Sequence, residues 1–246
     1  MGTLAHIYRH PIKGIGSEML TEASLAVGAP LPGDRAWAVL QETAEDTDAW
    51  QPRRNFLVVA YGPKLAQITA STGGDARITL THPDCAPLTF DPEQEMEALL
   101  AWVNPLWPET HPSPRRLVRA PAQGMADNGL PQLSIGGLSS LRALSERAGQ
   151  PLDPRRFRAN LWLEGLGPWG EFDLLGKTIR IGEAELLVTE RIERCRATEA
   201  NPVSGQRDVD TPRALIEGYG HKDFGVYATV TRAGRIAASD PVDVIA

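Results

Sequence analysis

Residues 3–9 mix apolar Leu4, Ile7 and Tyr8 with polar neighbours, and Pro11 ends the run. This near-alternation predicts an opening strand. PLPGD at 30–34 reads as a turn, and residues 35–41, with Ala36, Trp37, Val39 and Leu40, as a second strand. Residues 56–61 form a continuous apolar run, and residues 77–81 a short strand after the Gly73-Gly74 turn. Over residues 91–104 the period changes. Met96, Leu99, Leu100 and Val103 stand at i, i+3, i+4 and i+7, which predicts a helix with one apolar stripe. Asp91 would cap it, Pro92 would suit its first position, and Gln94 would complete a capping box. Pro105 and Pro108 stop it. The proline-bearing segment 108–121 then marks a boundary between an N-terminal domain, 1–112, and a C-terminal one, 113–246.

In the second half, residues 135–149 read as a helix, with Leu138, Leu141 and Leu144 on one face and Gly149 at its C-terminal end. DPRRFRAN at 153–160 follows as a basic loop. Residues 161–163, 178–181, 185–191, 226–232 and 242–245 read as strands separated by Gly-containing turns. Thr211 and Pro212 open a short helix ending near Gly218. Short strands outnumber helices, and 23 Gly and 20 Pro supply the breaks between them. The expected class is mainly β with peripheral helices (α+β).

The formal net charge is −6, so an anion site must come from local clustering of Arg and Lys, and nucleic acid is not an expected partner. The two cysteines, Cys85 and Cys195, lack CxxC spacing, which argues against a disulfide framework or a structural zinc site. No run reaches the ~18 apolar residues of a spanning helix, and MGTLAHIYRHPIKG has no apolar leader core. A cytoplasmic protein without membrane attachment is the expectation.

The sharpest chemical signal is RIERCRATEANPVSGQRD, 191–208. Cys195 stands where a strand gives way to an Asn-Pro and Ser-Gly loop, flanked in sequence by Arg191, Arg194 and Arg196. Nearby cations favour the thiolate, the form that ligates metal or attacks electrophiles. Continued strand alternation would point Arg194 and Arg196 away from the thiol. Cys195 is thus either a ligating or reactive thiolate or a partly buried structural cysteine. Cys85, in THPDCAPLTF, reads as part of a proline-rich loop with no cationic neighbours and receives no role. A second cluster joins Arg155, Arg156 and Arg158 to Asn160; Arg158 and Asn160 would share a face in an extended chain. Lys13 and Arg35 each lie beside glycine-bearing turns where backbone can approach a ligand. The five histidines show no HxH or HExxH spacing, and no GxGxxG, P-loop or haem motif occurs.

Taken in order, YRHPIKG, PGDRAWAVL, RFRANLWLEG, RCRAT with NPVSGQRD, and FGVYATVTRAGRIAASDPV span nearly the whole chain. Together they resemble the MOSC superfamily, whose members include the mitochondrial amidoxime reducing components and bacterial N-hydroxy-compound reductases. The resemblance implies an N-terminal β-barrel-like domain followed by a MOSC β-barrel, with a molybdenum pyranopterin cofactor between them. By carry-over, Cys195 would be the thiolate ligand to molybdenum. Lys13, Arg35, Arg158 and Asn160 would hold the pterin and its phosphate, with Arg194 and Tyr227 close to the cofactor. The chain departs from the family pattern at Gly14, where Ser is common, at Ala159 in place of Pro, and at Glu199 and Asn201. These changes bear on substrate range and on the cofactor form, for example a nucleotide-extended pterin.

Three functions are compatible with this reading. The first is an oxidoreductase that takes oxygen from small N-hydroxylated substrates, using a separate flavin or iron–sulfur protein as electron donor. The second is a non-redox carrier of the cofactor, or of sulfur as a Cys195 persulfide loaded by a sulfurtransferase. The third is a cysteine hydrolase, which needs an oriented histidine; His221 is the nearest in sequence.

Overall fold

The computed structural model describes residues 2–47 and 49–245. In chain order the elements are β1 (Gly2–Arg9), β2 (Glu18–Leu20), β3 (Glu22–Leu25), β4 (Trp37–Gln41), β5 (Thr69–Thr72), β6 (Ile78–His82), β7 (Cys85–Phe90), α1 (Met96–Val103) and β8 (Pro114–Arg119). Then follow β9 (Leu133–Gly137), α2 (Leu138–Ala148), β10 (Leu161–Glu164), β11 (Thr178–Ile181), β12 (Ala184–Glu193), α3 (Thr211–Tyr219), β13 (Asp223–Arg232), β14 (Gly234–Ala237) and β15 (Pro241–Val244). The mainly β class is as the sequence predicts.

Seven strands close a barrel in the order β10-β9-β13-β12-β11-β15-β1, because β1 pairs back onto β10. Closure removes the free edges an open sheet would leave. β1 is the closing stave: Leu4 and Ile7 pair with Leu163 and Leu161 on one side, and Gly2 pairs with Val242 on the other. The register shifts between Leu4 and His6, and this bulge bends β1 as a closed sheet requires. β9 and β10 are parallel, and α2 supplies the crossover that parallel strands need.

Alternation decides what faces inward. Leu4, Ile7, Leu133, Ile135, Leu161, Leu163, Val226 and Ala228 all join the barrel core. Trp162, between two inward leucines, points outward and is still fully buried. It meets Phe157 and Phe224 beneath α2 and α3, with the two phenyl rings stacked at 4.1 Å. A strand covered on both faces reads as a continuous apolar run, and β10 does. The N-terminal half has its own core around Ile12, Val39, Phe90, Leu99, Val103 and Trp107, enclosed by the β4–β8 ladder, the β5-β6-β7 meander and α1. Among the described residues, no helix is long and apolar enough to cross a membrane.

Three local expectations are corrected. The helix expected from 135 begins at Leu138, because residues 133–137 pair with β13 and β10. The helix expected from 91 begins at Met96. Residues 91–95 form a tight turn in which Glu95, not Gln94, accepts the Asp91 N–H at 2.7 Å, while Asp91 accepts from Glu93 N at 2.8 Å. Cys85 lies in β7, not in a loop: its register partner is His82, across a hairpin. The run 56–61 is buried as expected but irregular, touching a sheet only through a bridge between Phe56 and Leu40.

Candidate functional site

Ser134 in β9, Asn160 immediately before β10 and Tyr227 in β13 lie on the outer face of the barrel, since their chain neighbours are core residues. That face and the N-terminal half bound a cleft of about 210 Å³. Lys13, Arg35, Arg158, Asn160, Arg194, Cys195 and Tyr227, singled out from five separate stretches of sequence, all line it.

Lys13 follows the chain out of β1 and is almost fully buried. Its ammonium donates to Met125 O at 2.7 Å and pairs with Asp127. Burial lowers its pKa, partly offset by Asp127. Gly14 beside it adopts φ +73°, and a Cβ there would stand 2.3 Å from Leu57 O. The departure from the family's Ser is matched here by close backbone approach.

Arg35 and Arg158 both have positive φ, 48° and 49°. Left-handed backbone is uncommon for residues other than glycine and gathers where a site over-determines the chain. Arg35 pairs with Asp34 and donates to Arg158 O at 2.9 Å. Burial disfavours its charge, but Asp34 more than compensates, and its pKa is raised. Arg158 donates to the carbonyls of Gly16 (3.1 Å) and Ile12 (3.3 Å). Burial, with Arg35 close by, pulls its pKa down to about 9. The chain is therefore not extended at 158: DPRRFRAN makes a 3-10 turn over Pro154–Phe157 that Arg158 terminates. Arg158 and Asn160 still share the cleft, by a left-handed residue and not by strand alternation.

Asn160 fixes structure as well as lining the cleft. Its Oδ1 accepts from Ser134 N (3.0 Å) and Oγ (2.9 Å), and its Nδ2 donates to Tyr8 O at 3.2 Å. It thereby ties β10 to β9 and β1.

β12 stops at Glu193, so the alternation that would separate Arg194 from Cys195 does not continue. Arg194 donates to Phe224 O and Phe157 O, both at 2.8 Å. Its Nη2 is buried without a partner. Burial brings its pKa down to about 10, while Tyr227 and Cys195 act to raise it. Cys195 is half-buried, caps a short turn over Arg196–Glu199, and accepts from Thr198 N and Oγ1 through its carbonyl. Arg196 turns out to solvent. Burial raises the Tyr227 pKa against the pull of Arg194 and Arg35.

Sequence reasoning missed Arg53, Asp127 and Ser134, and gave Arg156 no role of its own. Asp127 lies in a turn ending at Asn128-Gly129, and Arg53 in a single 3-10 turn; neither has a period to read. Arg156 pairs with Asp208 at 2.7 Å and donates to Glu199 O at 3.0 Å, fastening the 201–207 loop. Arg155 pairs with Asp153 and is not among the lining residues. No histidine lines the cleft. His221 packs edge-on against Trp169 and Phe172 and accepts from Asp223 N, so the hydrolase reading lacks its base. Among the described residues, no three His, Cys, Asp or Glu side chains gather as a metal cage. Cys195 is the soft donor in the cleft that could ligate a metal.

Fold and cleft together define a barrel protein with one thiol and six cations, against the carboxylates of Asp127 and Glu193, around a single recess. Residues 1–103 match the MOSC N-terminal beta barrel domain and residues 131–243 the MOSC domain. The chain belongs to the MOSC family. It is similar to YiiM from Geobacillus stearothermophilus (24% identity, 46% of this chain and 54% of that one, TM-score 0.37). It is also similar to YiiM from Escherichia coli (22%, 46% and 54%, TM-score 0.32) and to the YUAD protein from Bacillus subtilis (14%, 99% and 94%, TM-score 0.47). The match thus spans about half the length of the YiiM proteins. No curated protein matches the chain.

Proposed function

We propose that the cleft binds a molybdenum pyranopterin with Cys195 as the thiolate ligand, and that the protein reduces small N-hydroxylated substrates. The observation that carries this reading is the meeting of one half-buried thiol with Lys13, Arg35, Arg158 and Arg194 in a single cleft. The residues fit such a group. A soft thiolate suits molybdenum. The unpartnered Nη2 of Arg194 and the crowded guanidinium of Arg158 both gain from a phosphate or another anion. When bound, the cofactor supplies two-electron redox chemistry at the metal.

The chain's own residues would bind and orient. Lys13, Arg35 and Arg158 would neutralise the cofactor's anionic groups, held in place by Asp127, Asp34 and backbone carbonyls. Arg194 would offer its unpartnered Nη2 to an anionic group of the cofactor. Tyr227, kept protonated by burial, would serve as a neutral hydroxyl donor. The net reaction breaks the N–O bond: an N–OH group, two electrons and two protons give N–H and water. The electrons would come from a separate flavin or iron–sulfur donor protein.

The test is molybdenum content by elemental mass spectrometry of wild type and Cys195→Ser from a host that makes the cofactor. Near-stoichiometric metal in wild type, lost or spectroscopically altered in the variant, is expected. Reduction of amidoximes and hydroxylamines with a competent donor should follow. Metal absent from both proteins, with cofactor supply verified, overturns the reading and leaves persulfide carriage as the function to pursue.

A further inference from the structure

Six cations line the cleft, and five are engaged within the protein. Lys13 is held by Asp127, Arg35 by Asp34 and Arg156 by Asp208, while Arg158 and Arg194 donate to backbone carbonyls. Arg53 differs from all of them. It lines the cleft, is exposed, and its guanidinium has no hydrogen bond or ion pair among the described residues. Two carboxylates stand close enough for its charge to lower their pKa values, those of Asp127 and Glu193. Each already has a nearer cation: Lys13 for Asp127, and Lys222 for Glu193 at 2.6 Å. The charge of Arg53 is left uncompensated on the solvent side of the cleft. Val58, Val59 and Ala197 line the same cleft and offer apolar surface alongside it.

A free guanidinium presents a fork of N–H donors that matches a carboxylate in two-point geometry. We infer that Arg53 is a specificity-determining residue that anchors a carboxylate on the substrate, remote from the reacting nitrogen, so that the preferred substrates are small N-hydroxylated acids. This rests on the reductase reading of the cleft. The buried cations are pinned by internal partners and suited to a resident anion. Arg53 is the cation still available to a ligand that comes and goes.

The probes are two non-redox product analogues, 4-amidinobenzoate and benzamidine, which differ by one carboxylate. Each is titrated calorimetrically into cofactor-loaded wild type, Arg53→Ala, Arg53→Lys and Arg53→Glu, with molybdenum content measured in every sample. A charge-assisted contact at an exposed site should favour the carboxylate-bearing probe by about threefold to fivefold in wild type. Arg53→Ala should bring the two affinities to parity, Arg53→Lys should restore part of the preference, and Arg53→Glu should reverse it. Equal affinities in wild type, no binding of either probe, or an unchanged preference in Arg53→Ala overturns the inference. Loss of molybdenum from Arg53→Ala also overturns it, by assigning Arg53 to the cofactor. The two readings fail separately. A protein that discriminates the probes through Arg53 yet reduces neither N-hydroxy precursor keeps the anion site and loses the reductase. One that reduces both precursors without discriminating does the reverse.

Discussion

Replacing Gly14 by alanine tests how tightly the N-terminal half is closed against the cleft. The residue adopts φ +73°, where an L-residue costs roughly 1–2 kcal/mol. The added methyl would also lie 2.3 Å from Leu57 O and 2.8 Å from Val58 Cα. Both are backbone atoms and cannot rotate aside, and Leu57 N is committed to Val39 O at 3.0 Å. Forced overpacking of this kind costs about 1–3 kcal/mol, so the total is about 3 kcal/mol. For a chain of this size that lowers Tm by about 6–12 °C. Gly28 is the internal control. It too has positive φ, +63°, but nothing lies within 4 Å of its would-be Cβ. Gly28→Ala should therefore show the backbone cost alone, about 1 kcal/mol. The assay is denaturant unfolding and thermal melting of both variants beside wild type. Because Val58 and Val59 line the cleft, Gly14→Ala should also retain less molybdenum than Gly28→Ala. Equal destabilisation by the two substitutions would refute the steric argument and leave only the dihedral one.

Asn160→Ala should cost about 2–3 kcal/mol in cofactor-free protein, because it strips the buried Ser134 N–H and Tyr8 O of their partner; a loss below 0.5 kcal/mol in denaturant unfolding would show the network to be dispensable. Glu171 is fully buried against Ser140 Oγ, and burial raises its pKa. The fold therefore favours its protonated form: ionisation costs nothing below the unfolded value and destabilises as pH rises through the folded one. Glu171→Gln should gain stability relative to wild type from pH 4 to pH 8, and a difference independent of pH would contradict this. Deleting residues 2–9 should abolish cooperative unfolding, since it exposes the edges of β10 and β15; a sharp melting transition in the shortened chain would show that the barrel closes without β1.

Strands β1 and β13 were legible because inward and outward residues differ in polarity, and α3 because Thr211-Pro212 marks its start, although the helix runs one residue past Gly218, to Tyr219. β9 was misread because a strand buried on both faces has no alternation, and its Ile135 runs into the Leu138, Leu141, Leu144 stripe of α2. The Asp91 turn offers a capping pattern without the helix following at once. Cys195 and its partners were legible as motifs, but the reason they converge was not. Arg158 reaches the cleft through a left-handed backbone, and Arg194 because β12 ends one residue before it. Asp127 became visible only through Lys13, 114 residues away in the chain.

The cleft concentrates unfavourable terms that the rest of the fold avoids. Arg35 and Arg158 both hold strained backbone, the Arg35 charge lowers the Arg158 pKa, and Arg35 donates to the carbonyl of Arg158. Arg194 adds a buried cation with an unused donor. Strain and like-charge repulsion persist only where surrounding structure over-determines them. Here Asp34, the Gly16 and Ile12 carbonyls and the barrel wall do so. A neutral acceptor could satisfy the orphan donor but would leave the charge repulsion in place. An anion would relieve the charge repulsion and satisfy the orphan donor together, without moving the backbone. The same preorganisation explains why β1 closes the barrel and then runs directly into Lys13: the strand that completes the fold also delivers the first cation of the site, and the two cannot vary independently.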